Sequence, residues 1–318
     1  MATEGRARKG SSTRGQRDPQ GQGASVPDAS PVDSVGLEGL DLPTQSPLFY
    51  AEHSARYERQ SMIQQYEARY DCKLIVVIDI IFGDNIPLLE ELLFDADPDR
   101  DLHMLLQSPG GDGETAVRMV RSAQARCREL TVVIPDVAKS AGTILALGAH
   151  HILMGPTSDL GPVDPQFPIG EGDQQTLVAA KDIIAAVDNA QKAVAADPNT
   201  YPLHASLLSD VSALKVQQAR SALARTGDLV EEALKSHPGR TDAQVKALKT
   251  KLKKPLIDLP KDHSAVVSAS DAKRMGLPVT EVDPSSLQWQ LLWRLYSKYL
   301  LLPANRIYEA DKASRILR

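Results

Sequence analysis

The sequence predicts an α/β domain built from successive βα units, with a helical lobe and a C-terminal helix. Three observations carry this. Short apolar runs recur at 73–80 (KLIVVIDI, largely β-branched), 101–107 (DLHMLLQ), 130–135 (LTVVIP) and 151–154 (HILM), the composition of strands covered on both faces. Helical segments at 85–94, 114–128 and 140–149 separate those runs, and such alternation implies a parallel sheet with right-handed crossovers. Beyond a Pro- and Gly-rich loop at 156–172, helical composition runs from 174 to 254, broken near Asp197-Pro198 and His237-Pro238-Gly239.

Taken in order, residues 1–43 are rich in Gly, Ser, Pro, Asp and Arg and read as a disordered tail, because they cannot offset the entropy of ordering. Residues 44–72 carry Tyr50, His53, Tyr57, Ile63 and Tyr66 among many charges and predict a helix packed on the body. The main domain covers 73–283, and within it 140–149 (SAGTILALGA) is small and apolar enough for a buried helix. Residues 271–277 predict a short helix closed by Gly276. The last segment, 284–318, is expected to be a helical extension, with a helix at 285–302 on which Trp289, Trp293, Tyr296 and Tyr299 recur. In a chain that is 4% aromatic, that stripe is either core or a subunit-docking face.

Composition narrows the function. At 318 residues and 42% hydrophobic content the chain can bury a full core. A net charge of −5 gives no basic field for nucleic acid. Cys72 and Cys127 form no Cys-x-x-Cys pair, which argues against a zinc site and a disulfide framework and for the cytoplasm. The first forty residues hold no apolar run of signal-peptide type. The longest apolar stretch, 75–82, is interrupted by Asp79 and falls far short of the roughly 18 residues of a transmembrane segment.

Two motifs carry chemistry. Gln107-Ser-Pro-Gly-Gly-Asp-Gly113 stands where a strand turns into a helix, and its paired glycines can present N–H groups to an anion or oxyanion. It lacks the spacing of phosphate-binding loops, and alone it is a turn. Lys139-Ser-Ala-Gly-Thr143 also follows a strand and opens a helix, which places Ser140 where small neighbours admit a substrate carbonyl. Alone it is a Ser N-cap. On successive βα units, both turns lie at the same carboxyl edge of the sheet, where ligands bind.

Ser-Pro-Gly-Gly followed by a strand and a Ser-Ala-Gly-Thr helix start resembles the ClpP/crotonase superfamily, a spiral of βα units. The loop at 158–166 (SDLGPVDPQ) and Ala272-Lys-Arg-Met-Gly-Leu277 resemble its signal peptide peptidase A-like branch, in particular the serine dehydrogenase proteinases. The likeness covers 73–283. It implies Ser140 as nucleophile and the Gly111 and Ala141 N–H groups as the oxyanion hole. Gly110, Asp112, Gly142 and Asp164 are then expected to contact substrate, with Asp159 and Gln166 in the bordering loop. Clp-type subunits carry their His in the stretch that reads PVDPQFP at 162–168 here, where none occurs. The signal-peptide-peptidase-like enzymes use a Lys instead, and Lys181 stands 41 residues beyond Ser140. On a helix from 174 to 196, Leu177, Val178, Ile184 and Ala185 would flank Lys181 and desolvate its amine, as a general base requires. Lys139, next to Ser140, should point away, and His150 and His151 fall at the far end of the helix.

The expected activity is peptide-bond hydrolysis by a Ser140–Lys181 dyad, with no cofactor or metal. Peptide or unfolded protein would be the substrate and a homo-oligomer the assembly. Two rivals share the fold: a crotonase-type acyl-CoA enzyme, which has no use for this Ser and Lys, and a non-catalytic scaffold.

Overall fold

The computed structural model describes residues 46–169, 176–258 and 265–317. The tail expected at 1–43 lies outside the described residues. The chain divides into a unit ending at Tyr50 and a body, Ala51–Arg318. Helix α1 (Pro47–Glu52) buries no residue, and α2 (Ser54–Tyr70) buries Arg59, Gln60, Ile63 and Tyr66. The single helix expected here is therefore two, parted at His53.

The body then runs β1 (Cys72–Ile78), α3 (Asn85–Leu92), β2 (Asp101–Gln107), α4 (Gly113–Gln124), β3 (Leu130–Ile134), β4 (Val137–Ala138), α5 (Ala141–Leu147), β5 (His151–Met154), β6 (Asp159–Leu160), β7 (Gln166–Ile169) and β8 (Thr176–Ala179). The lobe follows as α6 (Ala180–Ala196), α7 (Tyr201–Leu207), α8 (Ala213–Lys235) and α9 (Asp242–Leu252). The chain returns through α10 (Ala269–Arg274), β9 (Val279–Glu281), α11 (Leu287–Leu300), β10 (Arg306–Glu309) and β11 (Ser314–Leu317).

The main sheet has the order β11-β10-β1-β2-β3-β5-β9 and is parallel from β1 to β9. Strand alternation divides its side chains cleanly. Ile75, Val77, Met104, Leu106, Val132, Ile134, Ile152 and Met154 pack toward α4 and α5, whereas Leu74, Val76, Ile78, Leu105, Val133 and Leu153 pack toward α2 and α11. Both faces are covered, which is why these runs are apolar throughout rather than alternating. The aromatic stripe is mostly core: Trp289, Tyr296 and Tyr299 are buried, and Trp293 is 41% exposed. No described helix is long and apolar enough to cross a membrane.

Three expectations are corrected. The segment 284–318 is not purely helical, because β10 pairs antiparallel with β1 and β11 with β10. The loop at 156–172 contains β6 and β7. The lobe's first helix begins at Ala180, since Thr176–Ala179 pairs with Gln166–Ile169 as a hairpin. A second, small layer caps the carboxyl edge of the main sheet: β4 pairs with β6, Ser108 bridges to Ala138, and Leu160 bridges to Val267.

Candidate active site

The two motifs meet in this second layer. Past the end of β2, the Ser108 N–H donates to the Val137 carbonyl at 3.0 Å, and the Lys139 N–H donates to the Ser108 carbonyl at 2.9 Å. The glycine turn is then zipped to Ile81, whose N–H donates to Gly110 O at 2.8 Å and whose carbonyl accepts from the Asp112 N–H at 2.7 Å. Gly110 and Gly111 hold φ of 127° and 132°, a region open to glycine. A Cβ on Gly111 would lie 2.2 Å from the Ile81 carbonyl oxygen, and one on Gly110 would lie 3.1 Å from Ser140 Cβ. Glycine is thus required both for the turn and for its approach to the serine.

Ser140 holds the N-cap position of α5 with φ 46° and ψ −108°, yet its hydroxyl makes no capping hydrogen bond. That separates it from an ordinary Ser cap. The backbone is fixed on both sides: the Ser140 N–H donates to Pro162 O at 3.2 Å, and its carbonyl accepts from the Ile144 N–H at 3.0 Å. Among the described residues, neither the Gly111 N–H nor the Ala141 N–H enters a backbone hydrogen bond outside regular elements. As the first helical residue, Ala141 has no intrahelical acceptor for its N–H.

Lys181 is the second residue of α6, with 15% of its side chain exposed. Its Nζ lies 3.7 Å from Asp164 Oδ2 and 3.4 Å from the Ile257 carbonyl. The apolar flanks expected of it are mostly absent, because Leu177 and Val178 belong to β8, Leu177 is 65% exposed and Ala185 is exposed, which leaves half-buried Ile184 on the helix. Its shelter comes instead from the segment 161–165. There Pro162 takes the Ser140 N–H, Val163 N–H donates to Leu256 O at 2.8 Å, Asp164 is buried beside Lys181, and Pro165 O accepts from the Ala180 N–H at 2.8 Å. One five-residue strap therefore ties Ser140 at one end to Lys181 at the other.

Three of the expected substrate contacts are occupied otherwise, Asp164 by its burial beside Lys181. The Asp112 carboxylate caps α4, accepting from the Thr115 N–H at 2.9 Å. Gly142 is buried, and a Cβ there would lie 3.3 Å from those of Ala138 and Ser108. Lys139 points away from Ser140, to Asp159 and to the Ala265 carbonyl at 3.1 Å. His150 accepts from the Leu130 N–H at 2.9 Å and lies against His237, ring centroids 4.1 Å apart and tilted by 39°, beyond the far end of α5. Burial holds both imidazoles below their ordinary range, His237 down to about 4.

Sequence reasoning missed the braces. Buried Ser108 accepts from the Gly110 N–H at 3.2 Å, and buried Thr143 bonds both Ala138 O at 2.7 Å and Gly161 O at 3.0 Å. Their place inside the two motifs was the available signal. Among the described residues no group of three or more His, Cys, Asp or Glu side chains could hold a metal.

The ClpP-like SDH-type serine proteinases match the chain over residues 89–308. The chain belongs to that family. Two archaeal relatives from Methanocaldococcus jannaschii are also similar to this SDH-type chain. The uncharacterized protein MJ0137 is 29% identical over 58% of the chain and 55% of its own length, and the uncharacterized protein MJ1495 is 23% identical over 69% and 65%. The chain thus spans less than two thirds of either relative.

Proposed function

We propose that this SDH-type proteinase hydrolyses peptide bonds with Ser140 as nucleophile and Lys181 as general base. The observation that carries the reading is Ser140 itself, held at positive φ with an uncommitted hydroxyl beside the Gly110–Gly111 turn. In the reaction Ser140 Oγ attacks the scissile carbonyl while the neutral Lys181 amine takes its proton. The oxyanion of the tetrahedral intermediate is held by the Gly111 and Ala141 N–H groups. Lys181 then delivers the proton to the leaving amine, and water releases the acyl group from Ser140 by the same path in reverse. Asp164 and the Ile257 carbonyl orient the amine from the side away from substrate. Gly110 gives the peptide backbone room beside Ser140.

A serine-directed fluorophosphonate tests this directly. Mass spectrometry should find the adduct on Ser140, and Ser140→Ala should take up none. An adduct on another serine, or none on the wild-type chain, would sink the assignment. Assembly as a homo-oligomer belongs to the same reading, supported by α7, which buries no residue and exposes Tyr201, Leu203 and Leu207. Light scattering at micromolar concentration should give a mass above that of one chain.

A further inference from the structure

A cavity of about 510 Å³ opens at the carboxyl ends of β1 and β2, on the face of the sheet that carries α11. Its walls are apolar at Ile80 and Phe82, 43% and 51% exposed, and at Pro109. Its charge is acidic. Arg306 in the wall is matched twice over, by Asp79 Oδ2 and by Asp84 Oδ2, each at 2.9 Å. Asp136 is therefore negative charge beyond balance; it is exposed, and among the described residues its carboxylate accepts one long hydrogen bond, from the Tyr296 hydroxyl at 3.4 Å. Helix α11 also ends in this wall, at Tyr299 and Leu300, so its last carbonyl groups add negative potential. The basic side chain of its last turn, Lys298, is turned to Glu58 at 2.7 Å.

An apolar channel with an unbalanced negative end fits a long side chain with an aliphatic stem and a cationic head. The cavity also borders the reaction site through the chain itself. Pro109 immediately precedes the Gly110–Gly111 turn, and Asp136 lies in the short link from β3 to β4 that runs on to Ser140. We propose that this cavity takes a lysine or arginine side chain of the peptide substrate, whose main chain crosses the strand ends from Ser140 to the α11 face. This rests on the peptidase reading above. An extended chain advances about 3.3 Å per residue, so about three residues cross a layer about 10 Å thick. The basic residue would sit about that far from the scissile bond.

The test uses the full-length Ser140→Ala chain and three fluorescent peptides that differ at one position: lysine, norleucine or glutamate. Fluorescence anisotropy should show the lysine peptide binding about tenfold more tightly than the norleucine peptide, and the glutamate peptide most weakly. Asp136→Asn should bring lysine and norleucine within about twofold of each other, by loss of lysine affinity alone. Phe82→Ala, a second exposed position, should weaken both by a similar factor. Equal binding of lysine and norleucine peptides, or a lysine preference untouched by Asp136→Asn, overturns the proposal. Fluorophosphonate labelling of the wild-type chain reads the other assignment separately. A lysine preference without labelling would overturn the peptidase reading and leave the cavity's specificity standing.

Discussion

Two non-glycine residues among those described have positive φ, Asp71 and Ser140, both at 46°. They differ in ψ. Asp71, at 49°, sits in the ordinary left-handed well that closes α2, whereas Ser140, at −108°, lies outside it. Holding a residue with a Cβ there costs about 1–3 kcal/mol. Glycine would relieve that strain and return about 0.7 kcal/mol through its freer unfolded chain. Ser140→Gly should therefore melt higher than Ser140→Ala, by about 1 kcal/mol in denaturant titration, with neither protein labelled by fluorophosphonate. Equal stability of the two variants would mean that Ser140 is not strained. A second residue-scale effect is at Glu67, whose carboxyl is raised to about 7, chiefly by burial and against the Leu74 N–H it accepts. With the folded value above the ordinary 4.5, its stabilisation is complete below that value and is lost as pH rises through about 7. Glu67→Gln keeps the acceptor for Leu74 and should gain about 1 kcal/mol at pH 8, discounted for partial exposure, and almost nothing at pH 4. Urea titrations at the two pH values check this, and a gain of the same size at both would refute it.

At the scale of elements, the parallel strands β1, β2, β3 and β5 were legible because each is a short apolar run covered on both faces, whereas β9, with Val279 buried and Thr280 and Glu281 exposed, was not. Nor were the hairpins. In β10 the sequence RIYE ends in Glu309, a charged residue with 0% exposure, and such a run reads as surface. What permits it is Arg59 on α2, which meets Glu309 through two hydrogen bonds, 2.7 and 3.1 Å, while its guanidinium lies over Tyr299. The partner stands 250 residues away, so no local pattern announces it. The hairpin of β7 and β8 was hidden for another reason: it contains Pro168 and exposed Leu177, and it buries little. Removing one partner of a buried ion pair strands the other charge, at a cost of about 3–5 kcal/mol, whereas apolar replacement of both is often nearly neutral. Arg59→Ala should lose about 3 kcal/mol in urea titration, and Arg59→Met with Glu309→Met should recover most of it. A double variant as unstable as the single one would show that packing, not stranded charge, governs this joint.

Across the whole molecule, the candidate site joins a local feature to a distant one. Ser140 and the Gly110–Gly111 turn were legible because each motif dictates its own backbone, and the parallel sheet sets them side by side. Lys181 was singled out by its spacing from Ser140, but the helical environment expected of it is only partly present. It begins α6 rather than lying mid-helix, and the groups around its amine, Asp164 and the Ile257 carbonyl, come from the strap and from the far end of the lobe. Ile257 is 76 residues away in sequence, beyond the reach of periodicity. Under the dyad reading the lobe, inserted between β5 and β9, acts by delivering this one amine to the strap that also fixes Ser140. Groups that act in one proton transfer are not additive. Ser140→Ala should abolish peptide hydrolysis, Lys181→Ala should remove it almost as fully, and the double variant should be little worse than either, all three keeping the wild-type circular dichroism spectrum. A change at His150 or His151 should leave the rate within about twofold, since His150 is engaged with Leu130 and His237 and His151 with Glu129. Should Lys181→Ala instead retain most of the rate while the histidine changes remove it, the base lies beyond α5 and the dyad is wrong.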